Sequence, residues 1–423
     1  MVAGRTFDRD GLIMAAGQPR DFPFDFEKLD LDPPFAELRR DEPVCRVQLP
    51  YGEAAWLATR YADVKVVLGD PRFSRAAAVG RDEPRNRPHR GRPGTIKNLD
   101  PPEHSRLRRL LAKAFTVRQV EQARPRVQQI ADELVAAMLA KGAPADLVED
   151  FAMPLTITVM CELLGVPFED RADFRLWSDA FLATTRFTPE QVADYLTCLQ
   201  DYIAGLVAQR RETPTGDLLS ALVAARDDAD RLSEAELLAL AESILIGGHE
   251  TTATQITKFV YALLTHPEQD AALRADPNLV PQAVEELLRY VPLGGGGLQP
   301  RYALEDVELG GVLVRAGEPV IPAAQSGNYD DTVYSDPATL ELTRKEATHL
   351  SFGYGPHHCV GAALGRMELQ VALRTLLDRL PGMRFAGSEA DVLWKTGMAI
   401  RGIERMPITW ETPAPKRGST VEG

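Results

Sequence analysis

Cys359 stands in the run FGYGPHHCVG at 352–361, among Gly353, Gly355 and Gly361 and directly ahead of the helix-like stretch AALGRMELQVALRTLL. A cysteine so placed can offer a thiolate to a metal. A buried thiolate needs stabilising, and the first backbone N–H groups of the following helix, with its positive dipole end, supply that. The glycines permit unusual backbone angles and close approach to a flat group. Phe352 would shield the sulfur from water, and such shielding tunes a bound metal.

Two plainer assignments compete with a haem iron above Cys359. One is a structural cysteine on a tight turn. The other is a zinc site with His357 and His358, although adjacent ligands suit one tetrahedral ion poorly. Cys45, Cys161 and Cys198 are scattered with no CxxC pair, which argues against a disulfide framework or zinc ribbon. Cys161 and Cys198 read as buried small hydrophobes.

A second constellation is IGGHETTA at 246–253, inside an otherwise apolar helical segment. Gly247 and Gly248 cost helix stability, so they need a reason. Missing side chains would open space for a flat ligand. Threonine hydroxyls bond back to carbonyls four residues earlier and bend a helix. An acid and a hydroxyl, Glu250 and Thr251, suit controlled proton delivery to iron-bound dioxygen. Taken alone, the segment also reads as an exposed patch without a role.

The loop FGYGPHHCVG resembles the haem-binding loop of the cytochrome P450 family, Phe-Gly-x-Gly-x-His-x-Cys-x-Gly. By that resemblance Cys359 is the iron ligand, and Phe352, Gly353, His357 and Gly361 surround haem b. His358 replaces a commonly apolar residue. IGGHETTA is similar to the family's oxygen-activation motif, which makes Glu250 and Thr251 the acid–alcohol pair and turns Gly247 and Gly248 toward the haem. His104 and Arg108 resemble the family's His-x-x-x-Arg propionate site, with Arg301 and His349 in the two remaining positions. Glu286 and Arg289 match Glu-x-x-Arg, and Arg344 fits the third member of a structural ion-pair lock.

The resemblance covers about residues 30–410 and implies a single, mainly α domain over 1–410 with small β-sheets. Its activity would be haem-thiolate monooxygenation: one oxygen atom of O2 enters a bulky, mainly apolar small molecule by hydroxylation or epoxidation. A polyketide or macrolide intermediate of actinomycete secondary metabolism is the expected substrate. Aromatic coupling, a peroxygenase reaction and a haem-binding sensor without turnover are the alternatives. By position, Phe181, Phe187, Leu293, Gly294, Leu298, Met398 and Ile400 would line the substrate pocket. The run LGGGGL at 293–298 suggests a wide pocket or a mobile wall. No flavin or iron–sulfur motif is present, so electrons would come from NAD(P)H through a ferredoxin reductase and a ferredoxin. Arg106, Arg109, Lys113 and Arg118 are the candidate dock for an acidic ferredoxin, or a merely solvated face.

These groups must be positioned by a chain of 423 residues, 44% hydrophobic and 26% charged, which has ample material for a large core. The net charge of −13 argues against nucleic-acid binding. No run of 18 apolar residues and no signal-peptide pattern occurs, so a cytoplasmic protein away from membranes is expected; a monomer is the expected state. Residues 45–66 alternate like strands around Pro50-Tyr51-Gly52, and 75–98 read as a long functional loop. Residues 103–290 show helical spacing, with a Ser233/Glu236 capping box heading a helix to about Thr265. Residues 298–325 and 383–410 read as short strands, with Gly310-Gly311 as a hairpin turn. Residues 411–423 read as a disordered tail.

Overall fold

The helix after the cysteine, Ala362–Arg379, buries Leu364, Met367, Leu369, Val371, Leu373 and Leu376. So broad an apolar surface makes it a central element. It packs lengthwise on Val117–Lys141 and also touches Glu250–Thr265 and Val280–Tyr290. The computed structural model describes residues 18–411 apart from Phe26, Arg92, Lys113, Ala114, 228–231, Gly296 and Ala347, together with the pairs Thr6–Phe7 and Ile13–Met14. Residues 412–423 of the expected 411–423 tail, and Lys113, therefore lie outside the described residues.

The mainly α architecture with small sheets is as expected. The largest sheet has six strands, in the order Arg20–Asp21, Val44–Gln48, Ala55–Ala58, Pro319–Pro322, Arg301–Ala303 and Phe73–Ser74. Val44–Gln48 and Ala55–Ala58 pair antiparallel around the expected turn. The strand pattern stops earlier than the sequence suggests, because Tyr61–Gly69 is a helix burying Val64, Val67 and Leu68. Gly310 and Gly311, at φ 55° and 86°, close the hairpin between Val307–Leu309 and Val312–Val314. Two positive φ values are what a type I′ turn demands. Arg384–Phe385 joins Pro407–Thr409 and Ala145–Asp146 in a separate sheet.

The long helix from the Ser233 capping box is broken at His249 into Glu234–Gly248 and Glu250–Thr265. The Thr251 hydroxyl donates to the Gly247 carbonyl at 2.9 Å, and Thr252 to Gly248 at 3.3 Å. These bonds supply the bend that glycine-weakened backbone allows. Cys161 is buried, but Cys198 is exposed, contrary to expectation. It sits one residue before buried Leu199 on Pro189–Glu212, and that step of about 100° carries it off the apolar stripe. No helix among the described residues is long and apolar enough to cross a membrane.

Candidate active site

The cysteine loop is shaped by its backbone. Gly353 and Gly355 take φ of 74° and 70°, and a Cβ on Gly355 would meet the Leu68 carbonyl at 2.5 Å. The Cys359 N–H donates to the Phe352 carbonyl at 2.8 Å, folding the loop back on itself. Helix Ala362–Arg379 then begins three residues later. The free surface of Cys359 opens onto a cavity of about 250 Å3, and protein surrounds the rest of it. Burial pushes its thiol up, opposed by the Gly361 N–H and by Arg108, Lys97 and Arg366.

The broken helix forms part of the same cavity through Ser243, Ile244, Gly247, Gly248, Thr251 and Thr252. A Cβ on Gly247 or Gly361 would meet nothing within 4 Å, so both glycines leave open space there. Gly248 differs: its Cβ would strike Met160 Sδ at 2.2 Å. It borders the cavity, but its missing side chain admits Met160 rather than a flat ligand. His249 and Glu250 are buried, which overturns the exposed-patch reading. Glu250 is turned toward Lys395, whose Nζ lies 2.5 Å from Oε1.

A basic wall borders the cavity. His104 and Arg108 line it with His357, and the two imidazoles lie 4.2 Å apart. Burial, then Arg301 and His104, lowers His357 to about 3, and burial followed by Arg75 lowers Arg301 to about 9. His104 Nδ1 and His357 Nε2 are buried without partners. Nearby Asp100 is already engaged by Ser74, Arg75 and Ala76. Orphaned donors and cations of this kind suit an anionic guest. A haem fits the set: one thiol, open glycines facing it and a basic wall for propionates. Among the described residues no three His, Cys, Asp or Glu side chains gather to hold a metal ion, so the zinc arrangement lacks a ligand set.

His349 does not join that wall. Its Nε2 lies 3.2 Å from Glu285, and its Nδ1 accepts the Ser351 N–H. Both nitrogens are therefore occupied inside the protein. Glu285 also holds Arg366, whose guanidinium lies 4.6 Å from the centre of the Phe352 ring. His349, Arg366 and the expected oddity His358 thus surround Phe352.

Glu286 takes both Arg289 (2.7 Å) and Arg344 (3.1 Å), with all three buried. Arg289 continues to the Asn328 carbonyl at 2.9 Å. The Asn328 side chain then accepts the Leu350 N–H and donates to Ser351. A continuous chain of bonds therefore runs from the ion pairs to the start of the cysteine loop.

Backbone contacts bring three of the expected pocket segments together: Ala399 N–H donates to Leu182, Arg401 N–H to Leu293, and Gly294 lies against the Ala399 carbonyl. Met398 is bridged to Ala183, and Ile400 is buried. Phe181 meets the cavity-lining Lys97. Phe187 instead packs edge-on against Tyr195, and Leu298 joins the cluster on the large sheet. Lys97 belongs to the 75–98 loop that the sequence marks as functional, whereas sequence reasoning missed Met160, Leu364, Gly365 and Glu368 among the lining residues. Helical spacing from Gly361 reaches Leu364, Gly365 and Glu368, whereas no local signal marks Met160. Of the expected basic dock, Arg106 is paired with Glu236, while Arg109 and Arg118 are exposed.

The model for the family described as Cytochrome P450 matches residues 35–381. The chain is 51% identical over 398 residues to mycinamicin IV hydroxylase/epoxidase of Micromonospora griseorubida, covering 94% of this chain and 100% of that protein. It is equally identical, with the same coverage, to nocardicin C N-oxygenase of Nocardia uniformis subsp. tsuyamanensis. The crystal structure of HinD with NMFT and NO superposes with a TM-score of 0.91 at 48% identity, covering 93% of this chain and 100% of that one.

Proposed function

This chain belongs to the cytochrome P450 family, and on that premise we propose how its residues divide the work. The protein is a bacterial haem monooxygenase resembling those of actinomycete natural-product pathways, and it acts on a bulky small molecule. Bound haem supplies dioxygen activation and oxygen-atom transfer. Cys359 is the residue that would ligate the iron, and the Gly361 N–H steadies its sulfur. His104, Arg108, Arg301 and His357 would hold the propionates. Gly247 leaves room over the ring plane. Thr251, anchored on the Gly247 carbonyl, orients a proton donor in the chamber, and Glu250 is the acid behind it. The Glu286–Arg289–Arg344 cluster holds the cysteine loop through Asn328.

The observation that carries this reading is Cys359 facing Gly247 and Thr251 across one cavity with a basic wall. The likeness to mycinamicin IV hydroxylase/epoxidase and nocardicin C N-oxygenase supports a natural-product substrate such as a polyketide or macrolide. Electrons reach the site from NAD(P)H through a ferredoxin reductase and a ferredoxin, to a monomer in the cytoplasm, with residues 1–410 acting as one domain. The test is the Soret band of the reduced, carbon monoxide-treated protein. A strongly red-shifted band is expected; a histidine-type band, or a protein that retains no haem, overturns the assignment.

A further inference from the structure

The 75–98 loop carries Arg75, Arg81, Arg85, Arg87, His89, Arg90, Arg92 and Lys97. Carboxylates account for some of this charge. Arg75 pairs with Glu83 at 2.9 Å, and Arg85 and Arg90 share Asp82 at 2.7 and 2.9 Å. Arg87, His89 and Lys97 gather instead around the ring of Phe181. The Arg87 guanidinium lies 5.0 Å from the ring centre, the Lys97 ammonium 5.5 Å and the His89 ring 5.4 Å. Among the described residues none of the three has a carboxylate partner. Arg87 donates to the Phe181 carbonyl at 3.0 Å, and both His89 nitrogens are buried without partners. Lys97 lines the cavity.

Aromatic contacts attract cations but do not neutralise them. Burial of cations beside one another is unfavourable, and the two lysine and histidine groups register it. Burial, then Arg87, lowers Lys97 to about 8 and His89 to about 4. The acid that Arg87 senses, Glu83, is already paired with Arg75. A guest anion would remove both the repulsion and the orphaned donors. Phe181 lies next to Leu182, whose carbonyl ties this helix end to Ala399 in the expected substrate region. Lys97 lines the same cavity as His104, Arg108 and His357, and its contact with Phe181 joins that cavity to the helix end tied to Ala399.

We propose that Arg87, His89 and Lys97 form an anion-receiving subsite around Phe181, so that the substrate carries a carboxylate on an apolar or aromatic body. This rests on the reading of the cavity as the haem and substrate chamber. Lys97 and Arg87 hold the carboxylate by charge, His89 donates an N–H, and the Phe181 ring stacks on the adjoining part of the substrate.

The test uses the full-length, haem-loaded protein and matched probes: N-acyl-phenylalanines of increasing acyl length and their primary amides. Binding is followed by the spin-state shift of the Soret band and by calorimetry. The acids are expected to bind about tenfold more tightly than the amides, or better, which is about 1.4 kcal/mol. Lys97→Ala and Arg87→Ala should each erase the preference, and Lys97→Arg should keep it. Equal or tighter binding of the amides overturns the proposal, as does absence of binding by every acid. A Lys97→Ala protein that loses haem while keeping the acid preference also overturns it, by assigning Lys97 to the propionates. Failure of the red-shifted carbon monoxide band would instead remove the thiolate-haem reading, and calorimetry of the acid and amide pairs would still decide the subsite.

Discussion

Lys395 Nζ lies 2.5 Å from Glu250 Oε1, and the two side chains are only 6% and 1% exposed. The acid of the broken helix is thus held by a residue 145 positions away, beside strand Leu393–Trp394. Thr254 also donates to Oε1, at 3.3 Å, and Oε2 is buried without a partner. The proposed proton delivery from Glu250 toward Thr251 competes with this pair at Oε1. Removing one partner of a buried ion pair costs about 3–5 kcal/mol. Lys395→Met should lower stability by about that amount in urea unfolding, and adding Glu250→Gln should recover part of it. Purely additive losses would contradict the coupling.

Thr251 faces the cavity, with its hydroxyl on the Gly247 carbonyl. Thr251→Ala should fold and retain haem, while product formed per reduced nicotinamide falls several-fold. Unchanged coupling would remove Thr251 from proton delivery.

The paired glycines should separate by function. Gly247→Ala puts a methyl into open space, so folding should hold or gain up to about 1 kcal/mol from helix propensity. Its cost should fall on ligand binding, read as weaker spin-state shifts. Gly248→Ala meets Met160 Sδ at 2.2 Å and should destabilise by about 1–3 kcal/mol. Met160→Ala in the same protein should relieve part of the crowding.

Glu286 receives two buried guanidinium groups. Glu286→Gln strands positive charge and should cost about 3–5 kcal/mol, with release of haem before global unfolding. Thermal scans that follow the Soret band and far-ultraviolet dichroism together would show it. Coincident transitions would sink the idea that this cluster steadies the cysteine loop.

Glu368 is buried beside the cavity, its Oε2 has no partner, and burial holds its carboxyl well above the ordinary range. Below the unfolded-state pKa the group is protonated in both states and has no effect. Above it the unfolded chain ionises and the folded chain does not, so stability falls as pH rises toward the folded value. Glu368→Gln should therefore raise the melting temperature at pH 8 relative to the parent, with the gap closing near pH 4. A constant gap would show that Glu368 is not held neutral.

Much of the site is legible in the chain because it is local. FGYGPHHCVG places a cysteine, three glycines and a helix start within ten residues, and Gly353 and Gly355 adopt the positive φ for which glycine is suited. IGGHETTA contains both the glycines that weaken the helix and the threonines that bend it. His349 matches a propionate position by sequence alone, but Glu285 and Ser351 occupy its nitrogens.

The sequence by itself determined the cysteine loop, the helix break, the basic pair His104 and Arg108, and the mainly α fold. Each depends on residues within a turn or two of one another. Only the tertiary structure decided that Gly248 admits Met160, that Glu250 points at Lys395, and that Lys97 reaches the cavity beside Phe181. Spacing along a helix or loop fixes where a side chain stands on its own element. What that side chain meets depends on segments tens or hundreds of residues away, brought there by core packing rather than by any local preference.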